Sequence, residues 1–274
     1  PFKSYRVLFS GDIAPEDNTE LIFSRIDQNA TEINHSMKSF ARHSMPRDFG
    51  GWNTHGLTQK MVDAYYMNDG SDCPGKDREL NGGNGTERLT GFTTLQDYRQ
   101  GKYKPLAANV SLQYANREPR FYASVGYNGS VWEYLSDPEP THHNRQTFYY
   151  RGSGNGYNNS QFYLRTGISV KKYVNQTDVP DREDYRNIKD KAEPAIRYAD
   201  ILLLYAEALN ELEGTYSIAS WDKNTTYTIQ RNIEEIQKGI HPIRIRGGVP
   251  DYDAQIYSNK NLLRDKIKRE RMIE

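Results

Sequence analysis

Phe40, Arg47, Phe49, Trp52, Asn53 and His55 fall within sixteen consecutive positions of a stretch, residues 34–55, that keeps neither a helical nor a strand period. A segment of that length without a period reads as a long functional loop. Its residue types suit the holding of a sugar. A pyranose offers C–H faces and a rim of hydroxyls, so recognition asks for flat aromatic surface together with forked hydrogen-bonding side chains. Trp52 supplies the platform, and Arg47, Asn53 and His55 the forks. The competing reading has Trp52 plugging the loop into the core. The other two tryptophans have contexts that suggest core or capping roles: Trp132 follows a strand-like segment, and Trp221 follows the end of a helix.

Catalytic constellations are weaker. Asp200, Glu207 and Glu211 lie at spacings that put carboxylates on one side of a helix, and glycosidases use paired carboxylates. A charged stripe opposite an apolar one is, however, the ordinary solvated face of a helix. Histidines occur at 35, 43, 55, 142, 143 and 241, with no H-x-x-x-H or H-E-x-x-H spacing for zinc. His142-His143 reads as loop decoration. The acidic stretch Asp178–Asp184 has oxygen ligands for calcium but not the order of an EF-hand loop. Asn81–Gly85 is glycine-rich yet lacks the lysine and following helix of a phosphate cradle, and no G-x-S-x-G elbow occurs. No catalytic residue, metal site or cofactor is therefore assigned.

The 274 residues carry 36 basic and 36 acidic side chains. A net charge of zero removes the electrostatic footprint of a general nucleic-acid binder. No apolar run approaches the ~20 residues that cross a bilayer; the longest is Ile201–Ala206. Hydrophobic residues make up only 36%, but 21 tyrosines raise the aromatic fraction to 12%, which argues for a folded, loop-rich chain rather than a disordered one. Cys73 stands alone, so neither an internal disulfide nor a thiolate zinc site is available, and its role is not specified by the sequence. The chain opens on Pro1-Phe2 and closes on Glu274 within a helical charge pattern. It is expected to lack a preceding part and the extreme C-terminus.

The elements that would position these residues change along the chain. Tyr5–Phe9 and Leu21–Phe23 are short strand-like or helical pieces. Leu57–Met67 has helical spacing, closed by Asp69-Gly70. Arg120–Val125 and Gly167–Val174 have strand composition. A helix is predicted from Pro194 to Glu213, with Pro194 in its first turn and an apolar stripe of Tyr198, Leu202, Tyr205, Leu209 and Leu212 beside Ala199, Leu203 and Ala206. Ile229–Ile240 and Leu262–Glu274 are further helices. The expected class is mainly α with long irregular loops and a few short strands, carrying a tetratricopeptide-like helix pair in its last third.

Six segments, in order, carry a resemblance to the SusD/RagB family. Asn18–Phe23 resembles its N-x-E-I-I-F entry, and Leu57–Gly70 its P-T-x-x-L-V-D-x-Y-x-x-x-D-G helix. Asn116–Phe121 resembles x-R-D-P-R-L, and Ile196–Glu211 is similar to R-Y-A-E-I-L-L-x-Y-A-E-A-L-N-E. Ile243–Pro250 and Ile267–Glu274 match I-R-x-R-A-G-L-P and I-x-x-E-R-x-x-E. Departures are Gly56 for Pro, Glu118 for Asp and Gly247 for Ala. The resemblance implies the C-terminal portion of a SusD-like domain, loop-rich over residues 1–190 and helical over 191–274. It implies a non-enzymatic outer-membrane lipoprotein, anchored by a lipid outside this sequence. Such a protein captures glycans at the surface of Gram-negative bacteria and delivers them to a SusC-like TonB-dependent transporter. Binding by this stretch alone is expected to be weak, because the family's site is shared with a preceding helical part. A tetratricopeptide-like protein scaffold without sugar affinity is the alternative, and a carbohydrate-active enzyme a third reading.

Overall fold

The computed structural model describes residues 1–25, 36–74, 88–158, 163–180 and 187–274. Asn34, His35, the Asn81–Gly85 run and most of the Asp178–Asp184 stretch lie outside the described residues.

Helices form the frame: α1 (Phe2–Arg6), α2 (Met37–Ser44), α3 (Gln59–Ala64), α4 (Leu95–Gln100), α5 (Pro119–Ser124), α6 (Tyr198–Glu211), α7 (Ile233–Gly247), α8 (Ala254–Ser258) and α9 (Lys260–Ile273). Strands β1 (Leu21–Arg25) and β6 (Glu193–Arg197), β2 (Val125–Gly126) and β5 (Ser169–Val170), β3 (Ser130–Trp132) and β4 (Arg145–Thr147), and β7 (Tyr216–Ala219) and β8 (Thr226–Ile229) make four antiparallel pairs. Long irregular stretches join them, as the composition predicts.

α6 packs on α7 and α9. The approach to α7 is close: a Cβ added at Gly239 would stand 2.4 Å from the Leu202 carbonyl oxygen. α7 runs through Pro242 to Gly247 and stops at Gly248, whose φ of 80° lies in the left-handed region that a glycine enters freely. This packing is compatible with a tetratricopeptide-like arrangement.

All six segments that carry the family resemblance meet at one buried ion cluster. Arg120, fully buried, donates from Nε to Glu118 at 2.6 Å and from Nη1 to Glu270 at 2.8 Å and Glu274 at 2.9 Å. Arg244 bonds the other oxygen of Glu270 at 2.5 Å. Arg246 holds both Glu274 and Glu20, and Arg197 reaches the same two carboxylates. The amide of Tyr66 donates to Glu118 at 2.8 Å. Gly247 lies directly over Arg120; a Cβ there would meet Nε at 2.7 Å, so a glycine suits this position.

Several expected elements take another form. Residues 37–44 of the supposed loop are a helix, begun by Ser36 Oγ accepting from the Ser39 amide. Its inner face buries Ser39, Arg42 and Ser44 beside Ala41, which hides the apolar period. Arg120–Val125 is helix α5 up to Ser124, since Pro119 at its first position favours helical φ and the arginine is drawn into the ion cluster. Within Gly167–Val174 only Ser169–Val170 pairs as strand, and within Leu57–Met67 only Gln59–Ala64 is helical. Pro194 lies in β6 rather than in a helix; α6 starts at Tyr198, where Asp200 accepts from the Arg197 amide at 2.8 Å. The buried face of α6 is Ala199, Leu203, Ala206, Leu209 and Asn210, whereas Tyr198 and Tyr205 of the expected stripe are exposed, with Ile201 and Leu204.

Candidate functional site

The turn after α2 winds back over the helix end. The amides of Trp52, Asn53 and Thr54 donate to the carbonyls of Arg42, Met45 and His43 at 2.9, 3.0 and 2.8 Å. These are carbonyls a helix C-terminus leaves open, so the turn is fixed to a rigid element. Gly51 allows the return: a Cβ there would lie 2.1 Å from the Met45 carbonyl oxygen.

The six predicted residues separate into two groups. Trp52 is 39% exposed and belongs to no core cluster; the Arg42 guanidinium lies 4.9 Å from its ring centroid and His43 meets it edge-on at 4.5 Å. His43 stacks on His55 at 5.2 Å, and His55 packs on Phe40 at 4.4 Å. Phe40 continues edge-on to Tyr173. Trp52, His55 and Phe40 thus belong to one aromatic ladder running inward from solvent. Arg47 is exposed on the 3-10 turn that follows.

Phe49 and Asn53 are placed otherwise, and both expectations are corrected. Phe49 is buried against Tyr134 with ring centroids 3.6 Å apart, in a cluster with Ala41, Met45 and Trp132, and has no face to offer a ligand. Asn53 is buried with φ of 53°, a conformation asparagine tolerates, and its amide donates to the Asn155 carbonyl at 2.7 Å. It braces the loop.

Sequence reasoning passed over His43 and Thr54. The His43 Nδ1 lies 2.8 Å from Thr54 Oγ1. Burial, the neighbouring His55 and Arg42 all push the His43 imidazole below its ordinary pKa, and burial does the same to His55. Both rings are therefore neutral at physiological pH, each with a donor and an acceptor nitrogen, as hydroxyl recognition requires. The available signal was spacing: His43 sits one position from Arg42 in the helix that carries the loop.

The tryptophan contexts divide as well. Trp132 is buried at 1% exposure, a core residue as read from the sequence. Trp221 is 95% exposed beyond β7, at the tip of the β7–β8 hairpin, so a core or capping role is excluded for it.

The helix carboxylates lack the setting of a glycosidase pair. Glu207 accepts from Arg271 at 2.6 Å and Glu211 from Arg264 Nε at 2.6 Å, tying α6 to α9. The Arg264 hydrogen bond holds Glu211 below the usual carboxylate range, unsuited to a proton donor. His142 contacts Asp137 and His143 the Asp137 carbonyl. Among the described residues no group of three or more His, Cys, Asp or Glu could hold a metal, and no helix is long and apolar enough to cross a membrane. Burial raises the Cys73 thiol above its ordinary pKa.

Two-stranded pairs on a helical frame, with the six segments locked around the ion cluster of Glu118, Glu270 and Glu274, define a SusD-like fold. The SusD family model matches residues 19–274, and the chain belongs to that family. It is similar to a solved SusD-like protein (BF3747) from Bacteroides fragilis NCTC 9343, with a TM-score of 0.63 and 21% identity, over 99% of this chain and 43% of that one. It also resembles BT4246 in its selenomethionine form, with a TM-score of 0.66 at 17% identity over 99% of this chain and 41% of that one. A second structure of BT4246 has a TM-score of 0.61 at 18% identity and is covered to 40%. The chain thus spans less than half the length of these relatives. No curated protein sequence matches it.

Proposed function

We propose that the protein binds glycans without cleaving them, as a surface lipoprotein of the outer membrane that passes its ligand to a SusC-like TonB-dependent transporter. Family membership supports the glycan-binding reading. The observation that carries it to particular residues is Trp52, an indole held at the surface by a hydrogen-bonded turn and backed by Arg42 and His43. One face is braced and the other is open for C–H stacking. The neutral His43 and the exposed Arg47 and Thr54 provide the polar rim.

Affinity electrophoresis against a polysaccharide panel, beside a reducing-sugar release assay, tests this reading. Retention by a glycan with no sugar release is expected. Trp52→Ala should weaken retention by about 1–3 kcal/mol, the loss of an apolar platform and its stacking, with the melting midpoint nearly unchanged. If Trp52 instead plugged the core, stability would fall by about 3–5 kcal/mol. The protein-scaffold reading is favoured by one feature, the exposed Tyr198, Ile201, Leu204 and Tyr205 on α6. Absence of any glycan retention would shift the reading to it.

A further inference from the structure

A cavity that shares no residue with the 40–55 stretch lies among α1, α5, β2 and β3 and has a volume of about 240 Å³. Drug-sized ligands occupy sites of ~300–1,000 Å³, so this one has room for a single ring rather than a chain. Phe2 and Tyr127 give it aromatic walls. Tyr127 is 5% exposed, and the buried Ser130 hydroxyl, which also lines the cavity, has no hydrogen-bond partner among the described residues. The neighbouring Tyr122 hydroxyl, by contrast, is satisfied by the Tyr114 carbonyl at 2.7 Å. At the rim, Asn144 has φ of 52° and a side-chain amide without a partner among the described residues.

The polar side of the cavity carries an uneven charge. Lys171, itself buried, donates from Nζ to the Val131 carbonyl at 2.8 Å and pairs with Glu133 Oε2 at 3.0 Å. The other Glu133 oxygen is held by Arg6 Nη1 at 2.9 Å, and the buried Arg6 Nη2 finds no acceptor among the described residues. Two basic groups therefore share one carboxylate, and burial with the neighbouring Arg6 pulls the Lys171 ammonium below its ordinary pKa against the opposing pull of Glu133. Burial raises the Glu133 carboxyl, but Lys171 and Arg6 outweigh it and hold it below its ordinary range, so Glu133 is ionised. Buried charge without a counter-charge is costly, and a ligand carboxylate would supply the missing one.

We propose that this cavity binds one carboxylated sugar ring, a uronic acid unit, its carboxylate paired with Lys171, its hydroxyls with Tyr127 and Asn144, and its C–H face on Phe2. That the ring is a sugar rests on the glycan-binding reading; that it is anionic rests on the charge count alone.

Ligand-observed NMR on the protein with sodium glucuronate, glucose and sodium acetate at equal ionic strength tests the assignment. Glucuronate should give a saturable signal at an affinity at least about tenfold above the other two, equivalent to about 1.4 kcal/mol. Lys171→Gln should erase the preference over glucose. Tyr127→Phe keeps the ring stack and Asn144→Gly keeps the left-handed backbone; each should weaken glucuronate about fivefold, the worth of one hydrogen bond. These two variants decide the matter if Lys171→Gln fails to fold. Absence of a glucuronate signal, equal affinity for glucose or acetate, or an affinity unmoved by both conservative variants overturns the proposal. Retention of neutral polysaccharides is read separately, so failure of the Trp52 site leaves the glucuronate result standing.

Discussion

Replacing Arg120 by Met would remove the centre of the ion cluster while keeping most of the side-chain volume. Three charge-assisted hydrogen bonds vanish, to Glu118, Glu270 and Glu274. Glu270 keeps Arg244, and Glu274 keeps Arg246 and Arg197, but Glu118 keeps only the amide of Tyr66. At about 1.5–3 kcal/mol per bond to a charged group the gross loss is large. Glu118 can limit it by taking a proton, since burial already pushes its carboxyl upward and Arg120 is the main force opposing that. The net cost should then approach the ~3–5 kcal/mol of a broken buried pair, a large share of a domain stability of about 5–15 kcal/mol. Urea unfolding at neutral pH would read it as a lower midpoint at unchanged slope. The sign of its pH dependence is also set. The Glu118 carboxyl in the variant has a folded-state pKa above its unfolded one, so its protonated form stabilises most at low pH and the deficit widens as pH rises. A cost below about 1 kcal/mol, or a deficit independent of pH, would refute the claim that Arg120 neutralises a dry cluster.

Three further outcomes follow from the packing. Gly239→Ala gains about 1 kcal/mol of helix propensity, but its methyl meets a carbonyl oxygen of α6, so a net loss of about 1–3 kcal/mol is expected in thermal melts. Phe49→Ala should cost about 3–5 kcal/mol of stability, and glycan retention measured well below the melting midpoint should survive. Burial raises the Glu274 carboxyl, yet Arg246, Arg120, Arg197 and Lys172 outweigh it and hold it at about 2. Its stabilisation is complete above the unfolded value near 4.5 and is lost as pH falls toward 2, a decline on the order of 2 kcal/mol by about pH 3 that urea midpoints from about pH 6 downward would follow.

Local rules served best where apolar residues recur at helical spacing, even though the buried faces also take in Asn210 of α6, Arg244 of α7, and Arg269 and Glu270 of α9. α6, α7 and α9 were legible from their periods, although Pro194 misplaced the start of the first. The second begins at Ile233 rather than at Ile229, which pairs in β8, and runs through Pro242 to Gly247 instead of ending at Ile240. α2 was hidden because its inner face is built from serines and an arginine satisfied by tertiary partners. The β7–β8 hairpin had a readable signal, the alternation of Tyr216-Ser217-Ile218 against Tyr227-Thr228-Ile229 around a polar tip, and was passed over. In the candidate site, proximity in sequence found the right loop but could not separate Trp52 from Phe49. Which of two aromatics faces water depends on Tyr134, eighty-five positions further on, stacking on Phe49. The charge excess beside Lys171 joins Arg6, Glu133 and Lys171 from three distant segments and leaves no trace in local spacing.

The three tryptophans occupy three different environments, and this gives the protein built-in optical reporters. Trp132 lies in the core with the Lys171 ammonium 5.3 Å from its ring, Trp52 is half open to water, and Trp221 is almost wholly solvated. An ionic quencher should therefore extinguish emission in the order Trp221, Trp52, Trp132. Replacing Trp221 by Phe removes the background without touching either cavity or core. In that variant, quencher protection of Trp52 would report occupancy of the surface loop, while the blue-shifted emission of Trp132 would report the integrity of the core in the same cuvette.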